Sequence, residues 1–95
     1  MLNMNFDERL AINTQMQEWQ ASPSSTVWRK PLEREAKESG HTTSVVKYEV
    51  GASFKQHSHP YGEEILVFEG VFSDEHGDYP AGTYLRNPPG SKHSP

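Results

Sequence analysis

The stretch GASFKQHSHPYGEEILVFEG (residues 51–70) decides the fold. It places two histidines one residue apart, follows them with Pro60-Tyr61-Gly62, and resumes with two glutamates and an apolar run. Pro-Tyr-Gly reads as a turn, and EEILVFEGVF (63–72) is the most strand-like run in the chain. Side chains alternate along a strand, so His57 and His59 share one face, roughly 7 Å apart at Cα. Two imidazoles at that separation can lean onto one ion with bonds of about 2.0–2.1 Å. Glu63 comes four residues after His59, and a tight hairpin at the turn would carry its carboxylate back beside the histidines. Taken alone, an exposed pair of histidines explains an HxH at least as often, and Glu64 is chemically equal to Glu63.

Working outward, the period is two. In TTSVVKYEV (42–50), Val46, Tyr48 and Val50 share one face while Val45, Lys47 and Glu49 share the other, as in a half-buried strand. TVWRKPLERE (26–35) reads as a short strand, with Pro31 pushing it toward an edge. ASPSS (21–25) is loop by composition. In the first twenty residues Phe6, Leu10, Met16 and Trp19 fit either a loose helix or an extended arm. Downstream, SDEHGDYPAG (73–82) holds a turn around Gly77-Asp78 and a second at 80–82, and TYLR (83–86) is a further strand. NPPG (87–90) fits a type II turn, with Pro89 setting φ and Gly90 supplying the positive φ. His93 follows it at the start of another strand, and His41 and His76 fall in loops. Short strands between Gly/Pro turns at spacings near ten residues predict an all-β sandwich or barrel.

Composition bounds the function. The chain has 95 residues, a hydrophobic fraction of 33% and no cysteine, which makes it one domain at most, with a lean core. Its mean hydropathy is −0.85. A small, lean core calls for help from a metal or from oligomerisation, since disulfides and thiolate metal sites are excluded. The formal net charge of −4 and the absence of a dense Lys/Arg run argue against nucleic acid. No apolar stretch approaches membrane-spanning length, and MLNMNFDERLAINTQ lacks the layout of a secretory signal, so a cytoplasmic protein is expected.

The joint spacing is far more specific than any one residue. Gly51, His57, His59, Glu63 and Gly70 are separated by five, one, three and six residues, and Gly82, Pro88, Gly90 and His93 by five, one and two. The first set resembles the first cupin motif without a gap, and the second set resembles the second motif. With each residue type expected at about 2–7%, coincidence is negligible. VWRKPLERE, TTSVVKYEVGASF and above all FSDEHGDYPAGTYLRNPPGS further resemble the cupin domain of ChrR-type anti-sigma factors and their stand-alone relatives.

The resemblance implies a small cupin barrel, a double-stranded β-helix or jelly roll. It would form a single domain over 1–95, with an arm or first strand in 1–25 and both motifs in 26–95. It implies one divalent metal held by His57, His59, Glu63 and His93, with Glu64 on the opposite strand face and not a ligand. Zinc is expected first, then iron, then nickel or manganese, because availability as well as affinity selects the ion. A cysteine-free chain with no room for the N-terminal zinc domain of those anti-sigma factors is not expected to bind a sigma factor. In the family the second motif continues past His93, so further closing strands are expected after Pro95, either in a longer chain of which this is a fragment or from another subunit.

The resemblance implies a regulatory or sensor domain. An alternative is an iron-dependent dioxygenase acting on a small diketone or hydroxyacetophenone, as in other relatives of this group; a third is a site kept only for stability. Some diketone-cleaving cupins use histidines alone, and Glu63 departs from that subset. For an enzyme, Phe54, Tyr61 and Tyr84 are candidate lining residues of a small-molecule pocket and Arg86 a candidate anion anchor; no catalytic acid or base is identified. A homodimer is expected, as cupins commonly pair and the core is lean.

Overall fold

The computed structural model of the chain describes residues 1–36, 40–52 and 57–93, with the backbone alone at 57–59, 92 and 93. The described residues are all-β, nine short strands paired antiparallel, with one 3-10 turn at Thr14–Met16. Among the described residues no helix is long and apolar enough to cross a membrane. The chain falls into two compact units, Met1–Ala52 and Ser53–Pro95.

The first unit is a three-stranded sheet in the order β1 (Gln20–Ala21), β2 (Val27–Arg34), β3 (Thr42–Tyr48). Apart from the 3-10 turn at Thr14–Met16, the first nineteen residues are an extended arm, several of whose polar groups bond to the sheet. Leu2 pairs with Arg34, Asn3 Nδ2 donates to the Leu32 carbonyl at 2.8 Å, and Lys30 Nζ donates to the Thr14 carbonyl at 2.7 Å. Phe6 and Met16 are 65% and 82% exposed, so no apolar helical face is buried. Trp19 anchors the end of the arm, with the Lys30 and Lys47 ammonium groups each 4.5 Å from its ring centroid.

Pro31 does not make β2 an edge strand; β2 is the central one. The N–H and C=O of a strand residue point to the same side, and the Pro31 carbonyl accepts from Gln17 Nε2 at 2.9 Å, on the arm side. β1 pairs only with Trp28 and Arg29, so the missing N–H faces a side where no ladder partner is waiting. A bulge follows between Pro31 and Glu33. It turns Glu33 to the position opposite Thr43, where its carboxylate accepts from Thr43 Oγ1 at 2.7 Å and lies 2.9 Å from His41 Nε2.

The Thr43 hydroxyl, and after it the His41 hydrogen bond, hold the Glu33 carboxyl below its ordinary range. A carboxyl whose folded pKa lies below its unfolded value stabilises the fold fully above the ordinary carboxylate range. That contribution is lost as pH falls through the folded value. Thr43→Val should therefore flatten the acid limb: between pH 6 and pH 3 its Tm falls less than that of the wild type. Parallel curves would show that the hydroxyl carries no such coupling.

The second unit contains β4 (His57–His59), β5 (Glu63–Leu66), β6 (Val71–Asp74), β7 (Gly77–Pro80), β8 (Tyr84–Asn87) and β9 (Ser91–His93). Their pairing is nested: β4 with β9, β5 with β8, β6 with β7. One long antiparallel hairpin is thus bent at two corners, which is how a rolled β-hairpin of the jelly-roll kind is built. Its tip is the two-residue loop Glu75-His76, closed by the Asp74–Gly77 pair, with His76 N–H donating to Asp74 Oδ1 at 2.8 Å. The turn therefore sits ahead of Gly77-Asp78, which belong to β7.

Pro60-Tyr61-Gly62 is one side of a corner, not a hairpin turn. Its counterpart across the ladder is Pro88-Pro89-Gly90, closed by Ser91 N–H to the Pro88 carbonyl at 3.0 Å with Gly90 at φ +82°, as the type II reading requires. The second corner splits EEILVFEGVF into β5 and β6. There Val67 N–H donates to the Thr83 carbonyl at 3.0 Å, and its own carbonyl accepts from Gly82 N–H at 2.7 Å. Val67 is buried, 7% exposed, so the apolar run turns where its valine packs.

Candidate metal site

The β4–β9 ladder sets His57 directly opposite His93 and His59 opposite Ser91. Facing positions of an antiparallel pair lie on one side of it, and so do positions two apart along a strand. Backbone positions 57, 59, 91 and 93 therefore share a side of this ladder. The sequence joins the two histidine motifs only by spacing; here the two strands that carry them are hydrogen-bonded neighbours.

Glu63 opens β5, just past the corner, opposite Asn87. Burial alternates along both strands: Glu63, Ile65, Leu85 and Asn87 are half-buried, whereas Glu64, Leu66, Tyr84 and Arg86 are exposed. The Asn87 amide Nδ2 donates to Glu63 Oε1 at 3.1 Å. Glu64 is engaged on the other face, where the Tyr84 hydroxyl donates to its Oε1. The interaction with the Tyr84 side chain, and after it the negative charge of Glu64, raises the Arg86 guanidinium further above its ordinary range. The two adjacent glutamates thus have different partners on different faces.

Tyr84 and Arg86 lie on the Glu64 face, Tyr61 is 86% exposed at the corner, and Phe54 lies outside the described residues. Among the described residues no three His, Asp or Glu side chains come together as a metal-binding group. Of the four candidate ligands, only Glu63 is among those with a described side chain.

Two residues near the site carry no motif signature. Asn87 becomes legible once β8 is registered against β5, since counting back from the Pro88-Pro89-Gly90 corner puts it across from Glu63. Ser91 has a buried hydroxyl with no hydrogen-bond partner among the described residues, and no sequence pattern distinguishes it from a serine serving the turn.

The corner itself depends on Gly62. It sits at φ +85°, and a Cβ there would lie 3.0 Å from the Asn87 carbonyl oxygen, 3.2 Å from Pro89 N and 3.3 Å from Pro89 Cδ. The two sides of the corner approach so closely that the residue between His59 and Glu63 has no room for a side chain.

No curated protein shows a significant match to the chain. The family profile described as the ChrR cupin-like domain matches residues 7–95, nearly the whole chain and both histidine motifs. The chain belongs to the ChrR cupin-like domain family.

Proposed function

We propose that this chain is a metal-binding cupin in which His57, His59, Glu63 and His93 hold one divalent ion, and that its role is regulation or sensing. The observation that carries the reading is the β4–β9 register, which sets His57 opposite His93 with position 59 on the same side. The half-buried Glu63, held by Asn87, adds to it. Three imidazole nitrogens and one carboxylate fit zinc or iron(II), and they leave the ion with a net charge near +1. When bound, the ion supplies a Lewis-acidic centre and a crosslink between strands distant in sequence.

The chain's own residues do the rest. Asn87 fixes the Glu63 carboxylate, so less side-chain freedom is lost when the ion binds. Tyr84 keeps Glu64 on the outer face. The dioxygenase reading gains no support of this kind, because Tyr84 and Arg86 face away from Glu63. Oxygen uptake by the iron-loaded chain with acetylacetone tests the choice: none above the protein-free rate is expected, and sustained uptake would replace regulation with catalysis. The homodimer expected from the lean core belongs to the same proposal and is checked by light scattering.

Outer-shell partners of a metal ligand are worth about 10- to 100-fold in affinity. Asn87→Ala should lower zinc affinity within that range, as read by competition with a chromogenic chelator, while an unchanged affinity would make the Asn87–Glu63 bond a packing detail.

A further inference from the structure

We propose that Ser91 is a ligand-binding residue of this site, whose hydroxyl holds the non-protein ligand of the ion, a water molecule or a small anion. The inference rests on the metal reading above and deepens it. Ser91 Oγ is buried and has no hydrogen-bond partner among the described residues. A buried hydroxyl left unpaired is costly, so a partner beyond those residues is expected. Its place in the ladder says where: Ser91 is directly opposite His59 and two positions before His93, which faces His57. Position 91 is therefore on the side of the ladder that carries the three histidine positions.

The turn does not explain the serine. Its closing bond to the Pro88 carbonyl comes from the Ser91 backbone N–H, which any residue but proline could supply. Alanine would close the corner equally well without an orphaned hydroxyl. Nor is a neutral hydroxyl expected to displace three imidazoles and a carboxylate as a metal ligand. It can, however, donate to an anion bound at the ion or accept from a water there, and the corner pins its backbone in place beforehand.

The test uses the full chain loaded with cobalt(II), titrated with azide and followed by visible absorption. Wild type is expected to bind azide, and Ser91→Ala to take up cobalt as wild type does but to bind azide about 10- to 100-fold more weakly, the worth of a hydrogen bond to a charged group. Ser91→Thr, which keeps the hydroxyl, should stay close to wild type. Unchanged azide affinity in Ser91→Ala, or no azide binding by cobalt-loaded wild type, would overturn the assignment while leaving the metal site standing. Loss of cobalt together with azide in Ser91→Ala would make the residue structural and also overturn it. Failure of wild type to take up any cobalt would instead bring down the metal reading, and this inference with it.

Discussion

Gly62→Ala is expected to destabilise the chain by about 2–4 kcal/mol, the largest stability loss of any single methyl addition among its glycines of the second unit. Two costs combine. At φ +85° an L side chain is strained whatever the space around it, by about 1–2 kcal/mol. In addition the new Cβ meets backbone, the Asn87 carbonyl at 3.0 Å and Pro89 N at 3.2 Å, which cannot swing aside as a flexible side chain could. Gly70→Ala supplies the control, since it shares a positive φ of +71° but has nothing within 4 Å of its Cβ position. It should cost only the φ share, about 1–2 kcal/mol. For a domain of this size each kcal/mol moves Tm by roughly 4–8 °C, so the two variants separate clearly in a thermal melt. Equal melts would mean that the two sides of the corner do not pack as described. Gly62 also lies between His59 and Glu63, so relief of the clash by backbone movement should weaken metal binding as well.

Removal of a single histidine of the β4–β9 ladder should have the larger functional effect. His57→Ala, His59→Ala or His93→Ala is expected to lower zinc affinity by more than the ~100-fold upper end found for outer-shell partners, because on the proposed reading each would delete a direct bond to the ion. The loss should be visible in stability too. A ligand that binds only the folded state at about a thousand times its Kd adds about 4 kcal/mol, and each variant should forfeit most of that zinc-induced rise in Tm. His76→Ala, at the hairpin tip, and His41→Ala, beside Glu33 in the first unit, should retain both affinity and the rise. If His93→Ala binds zinc like wild type while His57→Ala does not, the two motifs do not form one site.

The residues that punctuate the chain made much of this legible in the sequence. Pro89-Gly90 named its own turn type, because one residue fixes φ and the other alone accepts the positive value. Glu63 and Glu64 could be separated by alternation alone once a strand was assigned there, and their different burial and partners follow that parity. Pairing was harder to read. Pro60-Tyr61-Gly62 has the composition of a hairpin turn, yet the partner of β4 is not β5 beside it but β9, some thirty residues on. A tight turn and a corner use the same local conformations; what distinguishes them is a long-range ladder, which no local propensity encodes. EEILVFEGVF was split for the same reason, at a place fixed by Val67 and its bonds to Thr83 and Gly82. Pro31 misled because an edge is only one way to spare a missing N–H; a neighbour two residues long, with the arm beyond it, is another.

Regulation by such a site requires that the bound ion be chosen by these residues and not by surface charge at large. The adjacent glutamates provide the sharpest measurement: metal content and zinc affinity of Glu63→Gln beside Glu64→Gln, both against wild type. Both changes remove one charge from the same strand, so any nonspecific effect is shared. The account predicts about one ion per chain in wild type and in Glu64→Gln, and a sharp loss in Glu63→Gln. Equal losses from the two variants, or none from Glu63→Gln, would contradict it.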